Sequence, residues 1–251
     1  MDKEDKFLLS LAEDKMQQCL SRNVPTRTPF LDMREQTLVA SHMRSVHCAN
    51  YAMLGGYEDA ERRVCAFLPD YMTEDDFDDL RFLRVQTSAA LPKPLTHRDY
   101  LGALMGLGIK RETVGDILVR PDGADMIVLP EVAPFLLSDF KGAGRASFDC
   151  REIARDCLRL PDVATEVFRD TVPSLRLDCM VASAFRLSRT AAGEAVERGV
   201  VFVNGMQCLK TDAKVREGDK LVLRGSGKVL FRSVCGTSKK NRIFVEMERY
   251  V

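Results

Sequence analysis

The chain has 251 residues, and its 37 Lys and Arg balance its 37 Asp and Glu, so the formal net charge is zero. Hydrophobic residues make up 45% and charged residues 29%, the composition of an ordinary folded protein with room for two or three small domains. The longest uncharged stretch, YLGALMGLGI, covers only about half a membrane span, and the charged N-terminus does not have the pattern of a signal peptide. These properties exclude a membrane-spanning protein, and we expect a soluble, cytoplasmic one.

The charges are distributed unevenly along the chain. From Val172 onward, 15 Lys and Arg stand against eight Asp and Glu, so the preceding 171 residues carry the opposite excess. An acidic body joined to a basic C-terminal third favours a polyanion, such as nucleic acid, as the partner of that third.

The cysteines do not form a metal-binding pattern. There are eight of them without a Cys-x-x-Cys pair, and the chain has three histidines. Structural zinc requires about four nitrogen or sulfur ligands at short paired spacing. We therefore expect reduced, mostly buried thiols, with no metal and no other cofactor.

The first 75 residues are interpreted as an N-terminal α/β region. Asp32 followed by Glu35 has the form of a capping box, which predicts a helix from Asp32 to Arg44. Short apolar runs bounded by Gly-Gly and Pro-Asp predict strands near 50–55 and 63–68, with a further strand near 80–87 beyond this region. The acidic run within 70–79 is typical of a solvated loop or a helix start.

Residues 76–160 alternate between helical and strand patterns. HRDYLGALMGLG predicts a helix, and Pro121-Asp122-Gly123 predicts a hairpin between two strands, because aspartate and glycine tolerate the positive φ of the turn. EVAPFLLSDF predicts a second helix and RASFDCREI a last strand. The pattern favours an α+β middle domain with a ferredoxin-like or RNA-recognition-like sheet, and leaves the strand order open.

The C-terminal segment, 172–251, follows a connection expected over 160–172. SLRLDCMVASAFRL predicts a first helix, and Ser188 caps a second helix that runs to Arg198 and ends at Gly199 in the left-handed conformation. VVFVNGMQCL predicts two strands joined by an Asn-Gly turn, and KVREGDKLVLRG adds two more short strands. We expect two helices packed on a small sheet.

Several motifs of this segment resemble the αL RNA-binding domain named after ribosomal protein S-four. They are RLD at 176–178, SRT at 188–190, RGVVFVNG at 198–205 and VREGD at 215–219, in that order. The resemblance implies an S-four-type domain that presents basic and polar groups to structured RNA. The matching positions are Arg176, Ser188, Arg189, Thr190, Asn204 and Gly205, and charge and placement add Arg186, Arg198, Lys210 and Lys214.

Structural roles compete with RNA contact at some of these positions. Ser188 is equally a helix cap, Asn204 and Gly205 are turn formers, and Asp178 is a candidate partner for Arg176. Arg189 has no carboxylate three or four residues further along, so it is the strongest single candidate for RNA contact.

The remainder of the chain resembles the YlmH-type proteins of bacteria. FLDMREQ at 30–36 and THRDYLGALMGLGIKRETVGDILV at 96–119 carry this resemblance. It implies binding to large-subunit ribosomal RNA and to tRNA during rescue of obstructed nascent chains, with a genetic neighbourhood linked to cell division. A second candidate surface is the polar corner of the middle domain, whose alternative roles are a structural turn and a protein-binding site. It consists of His97, Arg98, Lys110 and Arg111.

Two other classes of protein compete with a non-catalytic RNA-binding protein. Pseudouridine synthases use an Arg-Leu-Asp motif with a nucleophilic aspartate, which here would be Asp178, but the residues that follow it, CMVASAF, differ from those of that family. An adaptor for cell division is the other alternative. A kinase is rejected because Leu104 stands where the asparagine of its catalytic loop belongs. We expect a monomer that is not an enzyme, with ribosomal RNA, tRNA and the large ribosomal subunit as partners and no membrane.

Overall fold

A computed structural model describes residues 3–87, 94–144, 146–161, 165–238 and 241–250. The chain divides into two compact units, Met1–Pro161 and Asp162–Val251. Both combine helices with antiparallel sheets, so the predicted α+β class is confirmed. Among the described residues, no helix has the length and apolar character needed to cross a bilayer. The predicted boundary near residue 75, inside the first unit, remains a prediction.

The first unit begins with two helices beside a three-stranded sheet of order β1-β3-β2. The predicted capping box is confirmed, because the Glu35 N–H donates to Asp32 Oδ1 at 2.8 Å and the Asp32 N–H donates to Glu35 Oε2 at 2.7 Å. The first helix was not predicted, since charged residues interrupt its apolar positions. The elements are α1 (Lys3–Arg22), β1 (Thr26–Arg27), α2 (Met33–Ser45), β2 (Tyr51–Leu54) and β3 (Val64–Phe67).

A five-stranded antiparallel sheet of order β5-β6-β4-β8-β7 forms the rest of this unit. Its long strands and helices follow the chain order β-α-β-β-α-β, which is that of ferredoxin-like folds. The elements are β4 (Arg81–Thr87), α3 (His97–Gly106), β5 (Val114–Arg120), β6 (Gly123–Val128), α4 (Ala133–Asp139), β7 (Gly142–Ala143) and β8 (Ala146–Ile153).

The predicted hairpin between β5 and β6 is confirmed by the pairing of Arg120 with Gly123. Gly123 has a φ of 155°, and a Cβ there would lie 2.0 Å from the Val85 carbonyl oxygen. Glycine is therefore required by the closeness of β4 as well as by the turn.

Both faces of this sheet contribute to buried cores. Leu83 and Val85 of β4 pack on the side of α3 and α4, in a core with Tyr100, Leu104 and Leu136. Residues that point to the opposite face pack against the N-terminal region instead, and the set comprises Phe82, Leu118 and Ile127 with Phe30, Val64, Leu68 and Phe77. The N-terminal region thus covers part of the sheet face that the helices leave free.

The second unit has a six-stranded antiparallel sheet of order β11-β10-β12-β13-β14-β9, with two helices on one face. Met180, Val181 and Val196 of the helices pack against Phe231 and Met247 of the sheet. The elements are β9 (Thr165–Val172), α5 (Leu177–Ala184), α6 (Arg189–Glu197), β10 (Val201–Val203), β11 (Met206–Gln207), β12 (Lys220–Leu223), β13 (Gly227–Thr237) and β14 (Ile243–Tyr250).

Local predictions for this unit are confirmed at its helix ends and turns. The Ala191 N–H donates to Ser188 Oγ at 3.1 Å, so Ser188 caps α6. Gly199 follows α6 with a φ of 71°, and the Asn204-Gly205 turn has φ values of 50° and 75°. These are the left-handed conformations that the residue types predict.

Two expectations for this unit were wrong. The connection expected over 160–172 contains β9, whose residues Thr165–Val172 pair along the whole length of β14. Its residues, TEVFRDTV, do not alternate between polar and apolar, so the pattern of a half-buried strand is absent from this segment. Of the two strands expected around Glu217-Gly218-Asp219, the second forms β12, whereas on the first side Lys214 makes an isolated bridge to Arg176.

Candidate nucleic-acid interface

The first turns of α5 and α6 bring two predicted RNA-binding arginines to one carboxylate. Arg176 precedes α5, and its Nε and Nη2 donate to Asp178 Oδ1 and Oδ2 at 3.1 and 3.3 Å. Arg189 begins α6, and its Nε donates to Asp178 Oδ2 at 3.2 Å. Only 8% of the Asp178 side chain is exposed, against 42% of Arg176 and 62% of Arg189. We call these three residues the arginine clamp.

The electrostatics of the clamp favour the charged forms of Asp178 and Arg176. Burial disfavours the Asp178 carboxylate, but hydrogen bonds from Arg176, Arg189 and the Cys179 backbone outweigh it, so the pKa of Asp178 lies below its ordinary value. The hydrogen bond to Asp178 raises the pKa of Arg176. The clamp is therefore an ion triad with an excess of one positive charge.

The segment before β12 lies against the same end of α5. The Leu177 N–H donates to the Ala213 carbonyl at 2.8 Å, and the Asp178 N–H donates to the Thr211 carbonyl at 3.0 Å. The exposed residues Lys210 and Lys214 belong to this segment. Main-chain bonds thus bring the two predicted lysines to the edge of the unit that carries the clamp.

The other helix-associated candidates are spread more widely. Arg186 is exposed with a φ of 54° and connects α5 to α6, and Thr190 is exposed in the first turn of α6. Ser188 is exposed as well as capping α6. Arg198 is exposed at the C-terminal end of α6, the end opposite Arg189.

Asn204 and Gly205 are integrated into the fold. The Asn204 side-chain amide donates to Asp219 Oδ1 at 2.8 Å, and its oxygen accepts from the Lys220 N–H at 2.9 Å. Gly205 completes the tight turn into β11. These bonds join the hairpin to the neighbouring turn, a structural function that the residue types also predict.

Comparisons with known proteins place this architecture in a family. Residues 73–156 match a family model described as "Putative RNA-binding domain in YlmH". A Bacillus subtilis (strain 168) protein named "Ribosome-associated protein quality control protein P2" is 35% identical over 223 residues, which is 88% of this chain and 86% of that protein. The chain belongs to the YlmH family. The resemblance to YlmH-type proteins found at 30–36 and 96–119 is thereby confirmed.

A solved structure resembles part of this YlmH-family protein. It is titled "Cell division protein ylmH from Streptococcus pneumoniae", and it aligns with a TM-score of 0.50 and 23% identity. The alignment covers 61% of this chain and 93% of that one. At this level of identity the likeness concerns the fold alone.

In the YlmH-matched region, the four residues of the second candidate surface have two different roles. Arg111 is half-buried and donates to the Val114 and Gly115 carbonyls, and burial and the neighbouring Arg62 lower its pKa to about 10. His97, Arg98 and Lys110 are exposed, and partial desolvation together with Arg111 lowers the pKa of His97. Arg111 therefore holds the turn, while the other three are open to a partner.

In the described part of the middle sheet, the helix-free face does not expose the aromatic stacking platform of an RNA-recognition domain. Such domains stack bases on exposed aromatic rings of the sheet. In this protein Phe82, on β4, is 8% exposed under the N-terminal region. Beside it, Arg84 is bonded to the buried Asp125 and to the Cys157 carbonyl, so the 155–159 segment closes the next part of the face.

The Asp178–Arg189 bond is the feature of the site that sequence reasoning missed. The partners lie eleven positions apart, and most of α5 and the connection to α6 lie between them. A search for a carboxylate three or four positions away covers one helix face only. The Arg-Leu-Asp motif did point to the pairing of Arg176 with Asp178, which the structure contains.

Proposed function

We propose that this protein is a non-catalytic, cytoplasmic RNA-binding protein that binds structured ribosomal RNA or tRNA on the large ribosomal subunit. In this proposal it acts in quality control of obstructed nascent chains, as the name of its Bacillus subtilis relative indicates a quality-control role for that protein. The match to an RNA-binding family model over 73–156 supports the general RNA-binding role.

The single observation that carries the proposal is the arrangement around the arginine clamp. Two arginines from different helices meet at one carboxylate, and the exposed Lys210 and Lys214 lie in the adjoining segment. Lysine and arginine attract phosphates, and arginine adds paired hydrogen bonds to phosphate oxygens. Ser188, Thr190, Arg186 and Arg198 extend the proposed surface along the helices, while Asn204 and Gly205 shape the hairpin beside it.

The proposed organisation keeps an N-terminal region, an RNA-recognition-like middle domain and a C-terminal S-four-type domain. Because part of the helix-free face of the middle sheet is covered, any RNA contact by the described part of the middle domain is proposed at its polar corner rather than by stacking on Phe82. His97, Arg98 and Lys110 are the candidates there.

Binding is favoured over RNA modification by the state of Asp178. A nucleophilic aspartate needs an oxygen that can reach its substrate, whereas both Asp178 oxygens accept hydrogen bonds and the side chain is 8% exposed. An RNA-modifying enzyme would lose a detectable base change in an Asp178→Ala variant while keeping its RNA affinity. That result would contradict the proposed function.

The test is co-sedimentation of the full-length protein with purified bacterial large ribosomal subunits at increasing salt. An Arg189→Ala, Lys214→Ala double variant should bind more weakly, and the slope of log affinity against log salt should fall by about two, one for each lost phosphate contact. Unchanged sedimentation of this variant would rule out the proposed surface.

A matched control removes two positive charges elsewhere in the same unit. Arg169 and Arg232 adjoin the core residues Phe168 and Phe231 along their strands, so they lie on the sheet face opposite the helices. They pair with Glu246 and Glu248 at 2.9 and 3.6 Å. The Arg169→Ala, Arg232→Ala variant should keep nearly the affinity of the unmodified protein.

Crosslinking in cells followed by sequencing of the attached RNA distinguishes the possible targets. Reads from large-subunit ribosomal RNA or tRNA support the proposal. An adaptor of cell division would instead co-purify with division proteins after RNase treatment and at high salt, and would yield no enriched RNA.

A further inference from the structure

The arginine clamp contains a negative charge at the surface proposed to meet RNA. A carboxylate repels phosphate, so Asp178 lowers the simple electrostatic attraction of this surface. It is nevertheless the group on which two exposed functional candidates converge, since 62% of Arg189 and 42% of Arg176 are open to solvent. Electrostatic attraction to RNA therefore does not explain why an aspartate lies at this surface.

The carboxylate is itself held rigidly. The Cys179 N–H donates to Asp178 Oδ1 at 2.9 Å, and the Asp178 N–H donates to the Thr211 carbonyl at 3.0 Å. Backbone groups of α5 and of the 210–214 segment therefore determine where its oxygens lie. A rigid acceptor can orient long side chains that would otherwise populate many rotamers.

The bonds to Asp178 use one edge of each guanidinium group. Arg176 donates through Nε and Nη2, and Arg189 donates through Nε. Among the described residues, Nη1 of Arg176 and both Nη atoms of Arg189 have no hydrogen-bond acceptor. The clamp thus immobilises each arginine and leaves amino groups available to a phosphodiester.

We infer that Asp178 is a positioning residue, which presents Arg176 and Arg189 as a preformed pair of donors for the backbone phosphates of folded RNA. This inference rests on the proposed function, because it assumes that the clamp contacts RNA. Preorganisation lowers the entropy lost when the arginines bind, and it favours an RNA whose phosphates match the geometry of the pair. Preorganisation of the arginines outweighs the repulsion between Asp178 and phosphate only for a structured RNA whose phosphates match the pair.

The decisive variant is Asp178→Asn, because two explanations predict opposite signs. The substitution removes one negative charge at constant size, so a surface that acts by charge alone would bind RNA more tightly. If Asp178 positions the arginines, binding to purified large ribosomal subunits should weaken by about fivefold or more. Binding to polyuridine, an unstructured RNA, should stay equal or increase. Tighter binding to both RNAs would overturn the inference.

A double-mutant cycle links the effect to the clamp. When Asp178→Asn is combined with Arg189→Ala, the loss of affinity for large subunits should be smaller than the product of the two single losses, because the second change removes a group already released by the first. Multiplicative losses would show that Asp178 acts independently of Arg189 and would contradict positioning.

If Asp178→Asn does not fold, the Arg189→Lys variant provides a second test of the inference. Arg189 is exposed, so this variant should melt at the temperature of the unmodified protein, and it keeps the charge while losing the planar fork. Positioning predicts weaker binding to large subunits with unchanged binding to polyuridine. If the variant binds both RNAs as tightly as the unmodified protein does, the inference is overturned.

The proposed function is tested separately by Arg176→Ala and Arg189→Ala. If these variants also leave binding to large subunits unchanged, the proposed function fails as well.

Discussion

The Asp125 carboxylate on β6 accepts hydrogen bonds from Nε and Nη2 of its register partner Arg84 on β4 at 2.8 and 2.7 Å, and the Asp125 side chain is fully buried. The same carboxylate accepts the Arg159 N–H at 2.8 Å and lies 3.1 Å from Nη1 of Arg120. One buried acid therefore connects three strands to the segment that closes the sheet face.

Substitution of Asp125 should strongly destabilise the first unit. Asp125→Ala leaves the buried Arg84 without its ionic partner, and breaking such a pair costs about 3–5 kcal/mol of the free energy of unfolding. Chemical denaturation followed by circular dichroism measures the loss. Asp122→Ala is the matched control, because the Asp122 side chain is half exposed and its ion pairs are peripheral. Equal losses in the two variants would contradict a central role for Asp125.

The Asp125 network should also make stability depend on pH in the acid range. Burial opposes ionisation, but Arg84, the Arg159 N–H and Arg120 together hold the pKa of Asp125 below its ordinary value. A depressed pKa stabilises the folded state above the unfolded-state pKa of about 3.9, and this stabilisation is lost as the pH falls through the folded-state value. Melting temperatures from about pH 5 to pH 2 should therefore fall less steeply in Asp125→Asn than in the unmodified protein. Parallel curves would contradict the assignment.

Two glycine substitutions should change stability in opposite directions. Gly199 has a φ of 71°, and a Cβ there would lie 2.4 Å from Gln207 Nε2, so Gly199→Ala should cost about 1–3 kcal/mol of the free energy of unfolding. Gly102 lies inside α3, and a methyl group added there would meet no atom from outside its own helix within 4 Å, so Gly102→Ala should gain about 0.5–1 kcal/mol. Denaturant titrations of both variants measure the two changes, and a shared sign would contradict this account.

Asn204 should matter more for folding than for RNA binding. Asn204→Ala removes the bonds to Asp219 and Lys220 and strains a residue at a φ of 50°, so the free energy of unfolding should fall by about 1–3 kcal/mol. Asn204→Gly separates the contributions, because it relieves the strain and still lacks the bonds. For both variants, the affinity of the folded protein for large ribosomal subunits should be unchanged. Weakened binding at unchanged stability would assign Asn204 to the RNA surface.

Much of the local structure was predictable because its causes lie within a few residues of each other. Asp32 with Glu35, Pro121-Asp122-Gly123, Ser188 and Asn204-Gly205 each combine a residue preference with a bond to a near neighbour, and each prediction is confirmed. Strand β9 was missed because its partner, β14, lies more than 70 residues further along the chain.

The sequence by itself determined the α+β class, the helix caps and turns, the basic character of the C-terminal third and the family, since these depend on composition, short spacing and motif order. Only the tertiary structure decided that Arg189 bonds to Asp178, that Arg111 donates to backbone carbonyls and that Phe82 is buried against the N-terminal region. Each of these depends on which distant segments pack together, and charge and spacing along one chain do not specify that packing.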